Sequence, residues 1–201
     1  MELSTEKETE LLGIARSVFE EKGFSGARMQ EIADRAGMSK AALHYYFRSK
    51  DGLFQKVFDQ AISEFIPVIS TWEMNDLSWE ERVTRFTEKM IEFIETGSIL
   101  FLIREINRNP DLIAKRHEGK KRQNPFVAYF EELIQEGKIR PVDPRLLYMF
   151  LNSLCFFPSV NKLMFKKGLS LSDKQYDALM AQYASAVASF FIQAIKPTQS
   201  L

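Results

Sequence analysis

The chain has 201 residues, with 27 Lys and Arg against 27 Asp and Glu and an ordinary 45% apolar share, so no chain-wide field marks it as a polyanion or membrane-surface binder. Any affinity for nucleic acid must come from a local patch. The single Cys155 excludes an internal disulfide and fits a reducing compartment.

The start, MELSTEKETELL, is acidic and unlike a signal or transit peptide. The most apolar stretch, Leu146 to Val160, is too short to span a bilayer and is broken by Asn152, Ser153 and Pro158. A cytoplasmic chain without a membrane partner is expected.

Helix signals recur in chain order, and no Asn-Gly or Asp-Gly hairpin turn is flanked by alternating apolar residues. Thr5 and Glu8 form a capping box ahead of Leu11, Leu12, Ala15, Val18 and Phe19, a stripe at helical spacing that stops at Gly23. A second helix is predicted over 28–36, ending at Gly37. A third opens at Ser39, and a fourth opens near Lys50 with Leu53, Phe54, Val57, Phe58, Ala61, Ile62 and Phe65 on one face.

Further on, Ser78 with Glu81 and Ser172 with Gln175 are capping boxes, and Asn109-Pro110 and Asp143-Pro144 each place a cap residue before a helix-opening proline. One apolar helix is predicted over 143–166, kinked at Pro158, and a last one over 172–195. The fold class is all-α, with about nine helices. Composition shifts near residue 50, where short helices give way to long phenylalanine-rich ones. The division is therefore 1–50 and 51–201.

Two short helices around a glycine turn have the form of a helix-turn-helix. Gly37 supplies the positive φ of the turn, and small Ala33 and Ala36 allow a close crossing. Ile32, Met38, Leu43 and Phe47 seal the junction. Ser39 caps a recognition helix whose outward positions are Lys40, Ala41 and His44. Lys40 suits guanine O6 or N7, while Ala41 and Ala42 suit a thymine methyl. Tyr45, Tyr46, Arg48 and Lys50 suit phosphate oxygens. From Arg28 to Lys50 the cations Arg28, Arg35, Lys40, Arg48 and Lys50 face only Glu31 and Asp34, so this window is basic within a neutral chain. The same shape also serves merely to pack three helices.

The segment Leu11 to Phe58 resembles the N-terminal domain of the TetR family of bacterial transcriptional regulators. The resemblance rests on Ala15, Phe19, Glu21-Lys22-Gly23-Phe24, Ile32-Ala33, Ala36-Gly37-Met38-Ser39, Leu43, Tyr45, Phe47, Ser49-Lys50 and Leu53-Phe54. It implies that Lys40, Ala41, Ala42 and His44 face bases and that Tyr45, Tyr46 and Lys50 hold phosphates. Three positions qualify this pattern. Arg28 replaces the usual threonine that opens the second helix. His44 stands where a tyrosine is common, and Tyr46 where a histidine is common. Gln30, near the start of the second helix, is a further expected contact.

The resemblance also implies that 1–50 binds DNA and that 51–201 binds an effector and pairs two subunits. A repressor binding a near-palindromic operator as a homodimer is the expected mode. Trp72, Phe86, Met90, Phe101, Phe126, Tyr129, Met149 and Phe156 are candidate ligand-wall residues, pointing to an apolar or aromatic effector. For each of them a plain core position is the commoner role. Arg104, Glu105 and Asn107 are candidate polar anchors. Phe150, Leu154, Phe157, Tyr183, Val187, Phe190 and Phe191 are candidates for a four-helix dimer interface.

The run Lys115 to Arg122 reads as a solvated charged segment. No His-Glu-x-x-His, phosphate-binding glycine loop or Cys-His pair supports an enzyme, and no metal or cofactor is expected. The remaining alternative is a helical sensor of a ligand or partner that does not touch DNA.

Overall fold

A computed structural model of the chain describes residues 5–113 and 124–197. The charged run from Lys115 to Arg122 lies outside the described residues, and so does the Thr5 side chain of the expected first capping box. Among the described residues the helices are α1 (Thr5–Gly26), α2 (Met29–Arg35), α3 (Lys40–Phe47), α4 (Lys50–Ile69), a 3-10 turn (Ser70–Glu73), α5 (Trp79–Glu95), α6 (Ser98–Arg108), α7 (Pro125–Gln135), α8 (Pro144–Val160), α9 (Lys162–Gly168) and α10 (Asp173–Ile195). Residues 111–113 are also helical. The chain falls into two compact units.

The first unit runs from the N-terminus to Glu64 and includes Phe101–Arg104. The expected division at residue 50 is therefore corrected. Leu53, Phe54, Val57, Phe58 and Ala61 of α4 are buried, and Phe54 meets Phe19 edge-on at 5.3 Å and Phe101 at 5.9 Å. A cut at residue 50 would split one core. Within α1 the backbone leaves helical geometry at Gly23, where the stripe was expected to stop. The Arg104 guanidinium takes up two carbonyls there, donating to Glu20 O at 2.6 Å and Phe19 O at 3.0 Å. Arg104 is thus a clamp on α1 rather than a ligand anchor. Glu105 is buried and Asn107 is exposed.

The second unit comprises Phe65–Leu100 and everything from Glu105 onward. Its core is aromatic. Trp72 lies 4.7 Å from Phe86 and 4.8 Å from Phe126, and Phe126 stacks on Phe130 at 4.0 Å. Both expected capping boxes form, Ser78 with Glu81 and Ser172 with Gln175, and Asp143 caps α8 ahead of Pro144. Asn124 caps α7 in the same way ahead of Pro125. Cys155 is fully buried, and burial pushes its thiol up to about 12, so it behaves as a small apolar side chain.

The single helix expected over 143–166 is two, α8 and α9, meeting at Asn161. Pro158 has no N–H to give the Leu154 carbonyl, and the break deprives the Pro158 carbonyl of its own donor. Two tyrosines of α10 supply the missing bonds. Tyr183 Oη donates to Leu154 O and Tyr176 Oη to Pro158 O, each at 2.8 Å. Helix α10 is long and apolar enough to cross a membrane by composition alone. Here Tyr176, Val187, Phe191 and Ile195 are buried against the unit's own helices.

Candidate nucleic-acid interface and ligand cavity

The α2–α3 turn is built as the spacing requires. Gly37 sits at φ +64°, its N–H bonds Asp34 O, and the Met38 N–H reaches back to Ala33 O, closing α2 in a Schellman motif. Ser39 Oγ then accepts from the Ala42 N–H at 3.1 Å, capping α3. Ile32, Ala33, Leu43 and Phe47 are buried beneath, leaving Lys40, Ala41 and Tyr45 exposed and Ala42, His44 and Tyr46 half-buried. The exit from α3 is equally constrained. A β-carbon at Gly52 would lie 2.5 Å from Phe47 O, so glycine is required for that close approach.

The local cations divide into two sets. Arg35 is engaged: it grips Glu21 with two bonds of 2.7 Å and Glu31 with one of 2.9 Å. That grip holds the exposed Glu21 carboxyl down at about 2. Lys50 is engaged as well, donating to Phe24 O at 2.8 Å and Ala27 O at 3.2 Å and lying 4.5 Å from the centre of the Phe24 ring. Two of its three ammonium hydrogens therefore hold the α1–α2 connection together. Arg28, Lys40 and Arg48 make no side-chain bond among the described residues.

Arg28 precedes α2 with extended backbone and forms no side-chain cap, the direct consequence of a guanidinium having no acceptor to offer the first turn. Gln30 donates to Asp34 Oδ1 at 2.7 Å. His44 Nδ1 lies 3.3 Å from Arg48 O. A carbonyl only accepts, so this bond places the proton on Nδ1 and leaves Nε2 of the neutral ring as an acceptor. Tyr45 and Tyr46 meet edge to face at 5.4 Å.

In the second unit a cavity of about 770 Å3 is lined by the 3-10 turn, the start of α5 and the length of α7. Of the expected ligand-wall residues it brings together Trp72 and Tyr129. The others are corrected. Phe86, Met90 and Phe126 are core, Phe101 packs in the N-terminal unit, Met149 is on the surface, and Phe156 is half-buried on α8, away from this cavity's lining. Trp79 and Arg82 also line it and were missed. The signal for Arg82 is a cation placed on the apolar stripe of α5, three residues after Trp79 and four before Phe86. Its guanidinium lies 4.1 Å from the centre of the Tyr129 ring, and burial pushes the Tyr129 hydroxyl pKa up.

The expected dimer residues also divide. Phe150 (54% exposed), Phe157 (53%) and Phe190 (67%) face outward. Leu154 and Tyr183 line an apolar groove of about 420 Å3 between α8, α9 and α10. Val187 and Phe191 are buried in the chain's own core and have almost no surface left to lose to a partner, so their assignment is corrected.

Residues 11–57 match the family described as bacterial regulatory proteins, tetR family. The transcriptional regulator RutR of Escherichia coli is 26% identical over 199 residues, covering 95% of this chain and 91% of its own. The transcriptional repressor KstR2 of Mycolicibacterium smegmatis is 24% identical over 176 residues, covering 83% and 82%. Among solved structures, AibR in complex with isovaleryl coenzyme A and operator DNA superposes with a TM-score of 0.68 at 21% identity, over 92% of this chain and 97% of that one. These relatives are regulators, not enzymes. A matching domain over residues 11–57, relatives similar along the length of the chain and a capped turn ahead of an exposed helix lead to one conclusion: residues 11–57 carry the domain of the bacterial tetR regulatory proteins, and the chain as a whole is similar to transcriptional regulators of that type.

Proposed function

We propose that the chain is a repressor that binds a near-palindromic operator as a homodimer and leaves it when a small molecule with a largely aromatic, apolar body enters the cavity beside Trp72 and Tyr129. The observation that carries the DNA half is the division of the cations: Arg35 and Lys50 serve the fold, while Arg28, Lys40 and Arg48 make no side-chain bond among the described residues. In this reading Lys40, Ala41, Ala42 and the Nε2 acceptor of His44 meet base edges. Ser39, Tyr45, Tyr46, Arg28 and Gln30 meet the backbone. Lys50 has one hydrogen left for a phosphate, with its main role in positioning.

The dimer is supported by the outward apolar stripe Leu146, Met149, Phe150 and Phe157 on α8, joined by Leu179 and Phe190 on α10. Burying these against a second copy places two α3 helices on one duplex, with half-sites about 34–36 Å apart. Helix α4 links effector to operator. It is one continuous helix whose residues belong to the first unit through Glu64 and to the second from Phe65. A coupling of about 1–3 kcal/mol through it changes operator affinity about 5- to 150-fold. AibR, solved with both an acyl coenzyme A and operator DNA, supports the two-ligand reading.

The test is selection of DNA from a random pool by the purified protein, followed by a small-molecule screen for release. Recovery of a near-palindrome, and its loss on adding a compound, is expected. Failure to enrich any two-fold site would overturn the proposal.

A further inference from the structure

We propose that the cavity takes an aromatic monocarboxylate, whose carboxylate oxygens accept from Arg82 and from the Trp72 indole N–H. The inference rests on reading this cavity as the effector site and adds the chemistry of the effector. Its basis is two donors buried in one wall. Trp72 is 4% exposed, and its Nε1 is buried without a hydrogen-bond partner among the described residues. Native structures seldom leave such a donor unused, so it calls for a partner from outside the chain.

Arg82 is 6% exposed, lies over the Tyr129 ring, and among the described residues makes its hydrogen bonds to carbonyls alone, donating from Nη1 to Trp72 O at 2.7 Å and from Nε to Leu77 O at 3.3 Å. Neither partner carries charge, and Nη2 bonds neither of them. A buried guanidinium with no carboxylate paired to it among the described residues is costly and calls for an anion. The two carbonyl bonds fix its plane, so it is prepared before the ligand arrives.

Glu73, Glu132 and Glu136 also line the cavity, but all three are exposed and Glu136 is paired with Lys138 at 2.8 Å. Exposed charges are screened and the buried one is not, so depth decides in favour of an anion at Arg82. Trp72, Trp79 and Tyr129 offer flat apolar walls for a ring, and a volume of about 770 Å3 suits a small ligand.

Trp72 and Trp79 are the chain's two tryptophans, so isotope-labelled indole nitrogens give two signals, both at this cavity. The full-length protein is titrated with benzoate, phenylacetate and naphthoate and, in parallel, with the primary amide of each. At least one acid is expected to move the Trp72 indole proton downfield, with its amide binding about ten-fold more weakly. Trp72→Phe, which keeps a ring and removes the donor, and Arg82→Gln are each expected to weaken the acid about ten-fold and leave the amide unchanged.

Arg82 also holds two carbonyls. If Arg82→Gln does not fold, Trp72→Phe decides alone. The inference is overturned if no acid moves either indole signal, if amides bind as tightly as acids, or if Trp72→Phe binds the acid as well as the native chain. Binding to the selected operator is measured separately. Operator binding without any acid response rejects this inference alone, whereas loss of two-fold operator selection rejects the repressor reading whatever the titration gives.

Discussion

The outward face of α3 and the outward face of α8 and α10 differ in what they leave uncovered. On α3 the apolar residues Leu43 and Phe47 are fully turned inward, and what remains outside is a lysine, small side chains and amphipathic rings. On α8 and α10 several large apolar side chains stand outside, Phe150, Phe157 and Phe190 among them. The first surface suits a charged, hydrated partner and is tuned by salt. The second gains only by being desolvated, which is what a copy of the same chain provides.

The sharpest way to break the contrast is to damage one unit and measure the other. Phe130→Ala removes a ring stacked on Phe126 and 5.7 Å from Trp72, and should cost about 3–5 kcal/mol of stability in denaturant unfolding. If the units are separable, the unfolding curve of that variant becomes biphasic, with the N-terminal unit holding on. Phe190→Asp should leave the fold intact and weaken self-association by about 2–4 kcal/mol, counting the lost burial on both subunits, as read by analytical ultracentrifugation. A variant that remains as dimeric as the native chain would move the interface elsewhere.

Smaller effects sharpen the first unit. Ser39→Ala removes the α3 cap and should lower stability by about 1 kcal/mol in a thermal melt. The smallest effect is acid titration of the Glu21–Arg35 pair. Arg35 depresses the Glu21 carboxyl, so its stabilisation is complete above the ordinary value of 4.5 and is lost as pH falls towards about 2. Glu21→Gln should flatten that acid limb in a pH series of melts and change nothing near neutrality.

Much of the first unit was legible because local chemistry dictates it. Gly37 and Ser39 announce a turn and a cap whatever surrounds them, and both form. The roles of the cations were not legible. Arg35 and Lys50 look like Lys40 in the sequence, and only the fold brings Glu21 to Arg35 and two α1–α2 carbonyls to Lys50. The same limit applies to the second unit. Every aromatic on a helical stripe is apolar, but which ones line a cavity depends on packing across distant elements, so Phe86 became core while Trp72 became wall. The break at Asn161 was hidden for a related reason: Pro158 marks a disturbance, but the tyrosines that accommodate it come from another helix.

The central claim is that Lys40, and not Arg35, is presented to DNA. Affinity for the selected operator across a salt series tests it most directly, using Lys40→Gln and Arg35→Gln with folding checked for each. Lys40→Gln is predicted to cost about 1–3 kcal/mol of binding with stability unchanged, and Arg35→Gln to cost markedly less binding while lowering stability. An Arg35→Gln loss of binding equal to or larger than that of Lys40→Gln would contradict the account.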